Sequence, residues 1–284
     1  MHFLTLQRRG WSEPAVLVGG RAVSLREAGF PDLLSVVAGG SDALDRVQRW
    51  LAGGPADEPF DFDTTRVLAP IPHPSKIICI GLNYRDHAAE AKMSLPEVPT
   101  VFAKYGNTVT GHRHPIVLPK SSEKPDYEAE LAVVIGRGGR YIAAADWRDH
   151  VFGYTILNDV SARDFQLQTS QWTMGKTFDT FCPFGPTIVT ADEIEDPHTL
   201  AISTTINGER LQDSNTSNLV FGIPRLIEFL SSVMTLSPGD IISTGTPAGV
   251  GFAYKPPRWL RPGDEVTVEI EGLGRLVNPV VAEA

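Results

Sequence analysis

Two glutamates one residue apart, Glu128 and Glu130, interrupt an otherwise apolar run, Tyr127-Glu128-Ala129-Glu130-Leu131-Ala132-Val133-Val134-Ile135. The β-branched and aliphatic residues predict a strand over 127–135, bounded by Pro125-Asp126 before and Gly136 after. In a strand, residues i and i+2 leave the same face, so both carboxylates point one way. Like charges so placed in an apolar segment repel unless a cation lies between them. The run is therefore either an interior strand that holds a cation, or an edge strand whose outward face carries two glutamates.

A third carboxylate extends the first reading. A strand is predicted over 152–157, and Asn158-Asp159 follows at its end. Glu128, Glu130 and Asp159 would make an all-oxygen donor set suited to Mg²⁺ or Mn²⁺, with Ca²⁺ also acceptable. Zinc is disfavoured, because no His or Cys pair with ligand spacing lies near these residues.

Composition sets the class. At 284 residues the chain can bury a substantial core. Its 42% hydrophobic and 21% charged content is that of an ordinary soluble protein. A net charge of -9 without a local Lys/Arg cluster argues against a nucleic acid or an anionic membrane as partner. No stretch reaches the apolar length of a membrane span, and residues 1–11 lack an apolar signal region. Two cysteines, Cys79 and Cys182, do not make a disulfide framework, and a cytoplasmic location is expected.

Two regions differ in texture. Residues 1–72 read as a small amino-terminal α+β domain and linker: strands over 2–6, 15–18 and 22–25, a helix over 41–51 capped by Ser41, and a polar, proline-bearing stretch over 53–74. Residues 73–284 carry most of the predicted strands, at 76–80, 100–104, 116–118, 127–135, 152–157, 187–189, 200–206, 240–244, 265–270 and 276–281. Asn207-Gly208 is a hairpin turn signal, and Pro224 opens a helix marked by Leu226, Ile227, Leu230, Val233 and Met234. The mixture is α+β with mainly β character, without a regular βαβ alternation.

Further residues could do chemistry. If Gly81 to Glu90 turns helical, His87 and Glu90 become i, i+3 neighbours, and a carboxylate beside an imidazole orients it as a general base; the alternative is an exposed helix contact. Lys176, among Met174, Gly175, Phe178 and Phe181, could balance the carboxylates or contact an anionic substrate, or sit on a solvent-facing loop. Thr244-Gly245-Thr246-Pro247-Ala248-Gly249-Val250-Gly251 matches neither a P-loop nor a dinucleotide fingerprint. It reads as a turn that brings backbone N–H groups and Thr246 toward a ligand carboxylate, or as a tight structural turn. His112 and His114 are read as surface residues, and Cys182 as packing.

With these segments in order, the chain resembles the fumarylacetoacetate hydrolase family. The matching stretches are Gly81-Leu82-Asn83-Tyr84 with His87, Asp126-Tyr127-Glu128-Ala129-Glu130-Leu131, Asn158-Asp159 through Gln166, Gly175-Lys176-Thr177-Phe178-Asp179-Thr180, and Thr244 through Gly251. The resemblance implies a mixed β-roll or barrel catalytic domain, a homodimer, and Mg²⁺ or Mn²⁺ bound by Glu128, Glu130 and Asp159. It places His87 and Glu90 on a mobile lid, and Lys176, Gln166 and Thr246 at substrate or the metal's outer shell. An aspartate found upstream of the paired glutamates in the name-giving enzyme has no clear counterpart here.

The expected chemistry follows from that site. A 2-oxo acid with a second carbonyl can chelate a metal that stabilises an enolate leaving group. His87 oriented by Glu90 would activate water, and Lys176 would stabilise developing charge. The first expectation is hydrolysis of an acylpyruvate-type C–C bond to pyruvate, or a related 2-oxo acid, and a carboxylic acid. The alternative is oxaloacetate decarboxylation, or keto-acid isomerisation or sugar-acid dehydration at the same site.

Overall fold

The computed structural model describes residues 1–8, 10–55, 60–62 and 66–284. Strands take 37% of the residues and helices 23%, so the fold is α+β and mainly β. Its centre is one mixed sheet. From one edge, the strands run Phe60–Asp61, Arg21–Ser24, Trp11–Val18, His2–Arg8 and Cys182–Thr190. The sheet continues through Val151–Asn158, Ala129–Ile135, Ile241–Ser243 and Ile77–Gly81 to Thr100–Lys104. A second, five-stranded sheet is ordered Glu209–Asn215, Ala201–Ile206, Glu265–Ile270, Gly274–Ala282 and Ile116–Leu118. Neither sheet closes into a barrel among the described residues.

The strand expected over 127–135 spans Ala129–Ile135, so it carries Glu130 and begins directly after Glu128; it lies in the middle of the larger sheet, between Val151–Asn158 and Ile241–Ser243, and all seven of its residues are buried. This excludes the edge-strand reading. Alternation sorts its side chains. Ala129, Leu131, Val133 and Ile135 face a core shared with Ile202, Val268 and Leu276 of the five-stranded sheet and with Leu226 and Leu230 of the helix Ile223–Val233. Ala132 and Val134 face the opposite core, under Val36, Val37 and Val47 of the helix Leu33–Ala52. Glu130 shares the parity of Ala132 and Val134 and so lies on that second face, with Glu128 immediately before the strand.

Several boundaries differ from the sequence reading. The amino-terminal helix begins at Leu33, not at Ser41: the Asp32 side chain caps it through Ser35 N, and Gly40, at φ 53°, kinks it midway. A glycine tolerates that left-handed backbone, so the helix continues past a residue pair that reads as a terminator. The stretch 53–74 is not all linker, since Phe60–Asp61 and Val67–Leu68 pair into the large sheet, while residues 56–59 and 63–65 of it lie outside the described residues. The first strand pairs with Cys182–Thr190, so the amino-terminal strands extend the same sheet. Asn207 and Gly208, at φ 51° and 87°, form the expected two-residue turn between Ala201–Ile206 and Glu209–Asn215.

Candidate metal and active site

Four strand ends converge at one end of the large sheet. Ala129–Ile135 begins there, while the antiparallel Val151–Asn158 and the parallel pair Ile77–Gly81 and Ile241–Ser243 end there. Ala129 pairs with Asn158, and the Asp159 N–H donates to the Glu128 carbonyl at 2.9 Å, which sets the third acid beside the first. Donor oxygens of Glu128, Glu130 and Asp159 all lie within 4.8 Å of one another, and all three residues are buried.

Basic groups surround two of these acids. The Lys176 ammonium bridges Glu128 Oε2 at 2.7 Å and Asp159 Oδ2 at 2.9 Å. Lys104 Nζ meets Asp159 Oδ1 at 2.5 Å, and Arg163 Nη1 meets Glu128 Oε1 at 2.7 Å. Glu130 receives only neutral donors, the Ser243 hydroxyl at 2.5 Å and the Gly245 N–H at 2.9 Å, both on Oε2. Burial alone would raise the Glu128 carboxyl, but Lys176 and Arg163 hold it below the usual carboxylate range. Burial pushes Glu130 well above that range, and the charges of Asp159 and Glu128 push it further. Burial opposes the charge on Lys176, yet Asp159 and Glu128 raise its pKa above the ordinary lysine value.

This asymmetry is the test of whether a cation fits. Glu130 Oε1 has no protein partner among the described residues, so one buried carboxylate in the cluster is left without an ion-pair partner, and only the more distant charge of Lys176 acts on it. A hard divalent ion beside Glu130 would supply that charge, and the three acids offer only oxygen donors, as Mg²⁺ and Mn²⁺ prefer. The residues present fit such an ion.

A cavity of about 310 Å³ opens on the cluster. Glu128, Glu130, Lys176, His87, Gln166 and Thr246 all line it, so six of the eight residues singled out in the sequence share one chamber. Asp159 lies behind Lys176 and Lys104, and Glu90 lies behind His87. Apolar side chains, among them Ile80, Phe102, Trp172 and Phe252, make up most of the rest of the lining. His87 belongs to the short helix Arg85–Glu90, is 8% exposed, and packs its ring edgewise against Phe252. Its Nδ1 lies 3.4 Å from Glu90 Oε2, and Glu90 in turn accepts from the Gly249 N–H at 3.0 Å on Oε1. The exposed-contact reading of this pair does not hold for His87, and Lys176, at 1% exposure, is not on a solvent-facing loop.

Other groups escaped the sequence reading. Lys104 closes the apolar strand Thr100–Lys104 and is buried against Asp159; a lone cation ending an apolar strand was its signal. Arg163 lies inside a quoted motif, yet its fork to Asp126 Oδ2 at 2.8 Å and to Glu128 could not be read from spacing. Its Nη2 is buried and has no hydrogen-bond partner. His112 is a correction: it is buried, and its Nδ1 accepts from the Val277 N–H at 3.1 Å. Cys182 is buried packing as expected, with burial pushing its thiol up to about 12.

A strand-rich α+β fold thus opens a buried carboxylate cluster onto a chamber of small-molecule size. Residues 76–281 match the family model described as fumarylacetoacetate (FAA) hydrolase C-terminal, and the chain belongs to the fumarylacetoacetate hydrolase family. It is 50% identical over 216 residues, 75% of this chain and 69% of the relative, to a Bos taurus protein named oxaloacetate tautomerase FAHD2B, mitochondrial. Among solved structures it is similar to a fumarylacetoacetate hydrolase from Exiguobacterium antarcticum, at 36% identity and a TM-score of 0.87 over the whole of both chains. It is also similar to a maleylpyruvate hydrolase from Sphingobium sp. SYK-6 in complex with manganese (II) ion and pyruvate, at 31% identity and a TM-score of 0.85, again over both whole chains.

Two expectations change with these comparisons. The cytoplasmic location expected from composition is overturned, because the Bos taurus relative and a Homo sapiens protein named oxaloacetate tautomerase FAHD2A, mitochondrial, 49% identical over 216 residues, are both named mitochondrial. The tautomerase names support the keto-acid isomerase alternative over C–C hydrolysis.

Proposed function

We propose that the protein interconverts the enol and keto forms of a small 2-oxo dicarboxylic acid of the oxaloacetate type, with Mg²⁺ or Mn²⁺ held by Glu128, Glu130 and Asp159. The observation that carries this reading is the position of His87, backed by Glu90, on the same small chamber as Glu128 and Glu130. Tautomerisation needs a proton moved between C3 and the C2 oxygen, and one group that both takes and returns a proton is sufficient. Hydrolysis requires in addition a bound water and an acid for the leaving carbon.

When bound, the divalent ion would polarise the 2-oxo carbonyl and lower the cost of negative charge on its oxygen. His87 would take the C3 proton of the keto form as the C2=C3 bond forms and deliver it to the C2 oxygen to give the enol, and in the reverse direction would take the enol proton and return it to C3. Glu90 would orient the imidazole through Nδ1. Lys176, on the chamber wall, would face the charge that develops at oxygen. Arg163 Nη2 is a buried donor without a protein partner, suited to the second carboxylate of a dicarboxylic acid. The apolar lining would keep bulk water from the enolate.

The manganese-and-pyruvate complex of the maleylpyruvate hydrolase supports acylpyruvate hydrolysis as a second reading. Decay of enol-oxaloacetate by ultraviolet absorbance, with parallel assays for CO₂ and for acid released from an acylpyruvate, separates them. Metal-dependent acceleration of enol decay without CO₂ is the expected outcome, and acid release without that acceleration would replace it with hydrolysis. A homodimer, which the family resemblance implies, is also proposed, and light scattering in solution tests it. The division near residues 72 and 73 remains a proposal too, with the family match beginning at residue 76 as its support.

A further inference from the structure

Gln212 is fully buried on the strand Glu209–Asn215, opposite Thr204. Its side-chain amide fills all four of its hydrogen-bonding positions. Oε1 accepts from the Ala129 backbone N–H at 3.0 Å and from the Thr204 hydroxyl at 2.7 Å. Nε2 donates to Thr246 Oγ1 at 2.8 Å and to the Pro247 carbonyl at 3.0 Å. A backbone N–H can only donate and a carbonyl can only accept, so these two contacts fix which way the amide faces.

That orientation decides the polarity of Thr246. Its oxygen accepts a hydrogen bond from Gln212 Nε2, so its own hydrogen must point elsewhere, and no acceptor among the described residues takes it. Thr246 is 4% exposed and lines the chamber together with Glu128, Glu130 and Lys176. The same amide ties the glycine-rich turn, through Ala129, to the strand that carries Glu130. The turn sits hard on the strand that holds Gln212: at Gly249, φ +96°, an added Cβ would come within 2.1 Å of the Leu211 carbonyl.

We infer that Gln212 is a positioning residue that holds the Thr246 hydroxyl as a hydrogen-bond donor into the chamber, where it meets an anionic oxygen of the bound 2-oxo acid. The inference rests on the proposed reading of the chamber as a 2-oxo acid site. A threonine hydroxyl can turn its proton toward any acceptor, and a site lined with carboxylates offers several. Occupying its lone pair from behind leaves the donor free for the ligand, with the reorientation cost already met in the folded protein.

The test is a double-mutant cycle with oxalate as probe on Mn²⁺-loaded protein, read by calorimetry, alongside Mn²⁺ affinity and turnover. Gln212→Met is expected to weaken oxalate about tenfold, the loss of one hydrogen bond to a charged group, and Thr246→Val by a similar factor. In the Thr246→Val background, Gln212→Met should add no more than about twofold, because the partner through which it acts is gone. Thr246→Ser, which keeps the hydroxyl, should bind oxalate as the wild type does. If Gln212→Met does not fold, Gln212→Glu, which keeps the acceptor side and removes the donor, is read in the same cycle.

Equal weakening by the Gln212 substitution in both backgrounds, or a loss of Mn²⁺ affinity as large as the loss for oxalate, would make Gln212 a packing residue and overturn the inference. A wild type that binds oxalate with the cycle intact but does not accelerate enol–keto exchange would overturn the proposed reaction and leave the Gln212 assignment standing. An additive cycle beside full wild-type turnover would do the reverse.

Discussion

Lys176 Nζ lies 2.7 Å from Glu128 Oε2, with both residues buried, and the same ammonium reaches across to Asp159. The lysine therefore holds two acids together before any metal is considered. Truncating it leaves buried carboxylates short of a countercharge. Lys176→Met should lower the stability of the metal-free protein by about 3 kcal/mol. Added Mn²⁺ should recover part of that loss, because a cation that binds only the folded state stabilises it. Thermal melts with and without Mn²⁺ check this, and a variant as stable as wild type without metal would contradict the pairing.

The His87–Glu90 pair leads to a separate expectation. Neither residue belongs to the acid cluster, so their substitution should spare metal binding. His87→Ala should lower turnover by about 10²- to 10⁴-fold, the usual scale for a positioned proton-transfer group. Glu90→Gln should cost less, because an amide oxygen can still accept from the Gly249 N–H that anchors this side chain. Steady-state rates with Mn²⁺ titrations decide it. A His87→Ala protein with full turnover would remove the assignment.

Much of this site was legible in the sequence because strand geometry has a period of two. Reading 127–135 as a strand put Glu128 and Glu130 on one face, although the strand itself begins at Ala129, and Asp159 was read at the end of a second strand whose pairing with the first only the structure shows. His87 and Glu90 were legible for the same kind of reason, a helical spacing of three. What periodicity cannot show is which distant segments meet. Lys104 and Lys176 come from separate elements yet share Asp159. Gln212 sits in Glu209-Arg210-Leu211-Gln212-Asp213-Ser214-Asn215, whose polar composition reads as solvent-facing; only packing beneath the glycine-rich turn buries it. The start of the helix at Leu33 was hidden by Gly39-Gly40, which ordinarily ends a helix and here only kinks it.

A pH expectation arises away from the site, at Asp264. Burial alone would raise its carboxyl, but Arg258, at 3.1 Å and 3.2 Å, the Arg261 N–H and Asn207 hold it below the ordinary value. A group lowered on folding contributes stability above its unfolded pKa, near about 3.9, and loses that contribution as pH falls through the folded value. Asp264→Asn should therefore melt a few degrees below wild type at neutral pH, and the gap should close in strong acid. A gap that widens toward low pH would contradict the sign.

The central claim is that a divalent cation on Glu128, Glu130 and Asp159 drives enol–keto exchange of a 2-oxo acid. It is tested most directly by following enol-oxaloacetate decay with protein stripped by a chelator and then reloaded with Mn²⁺ or Mg²⁺. The account predicts that stripping abolishes the acceleration, that reloading restores it, and that Glu130→Gln does not recover it on reloading. Undiminished acceleration by the stripped protein would contradict the account.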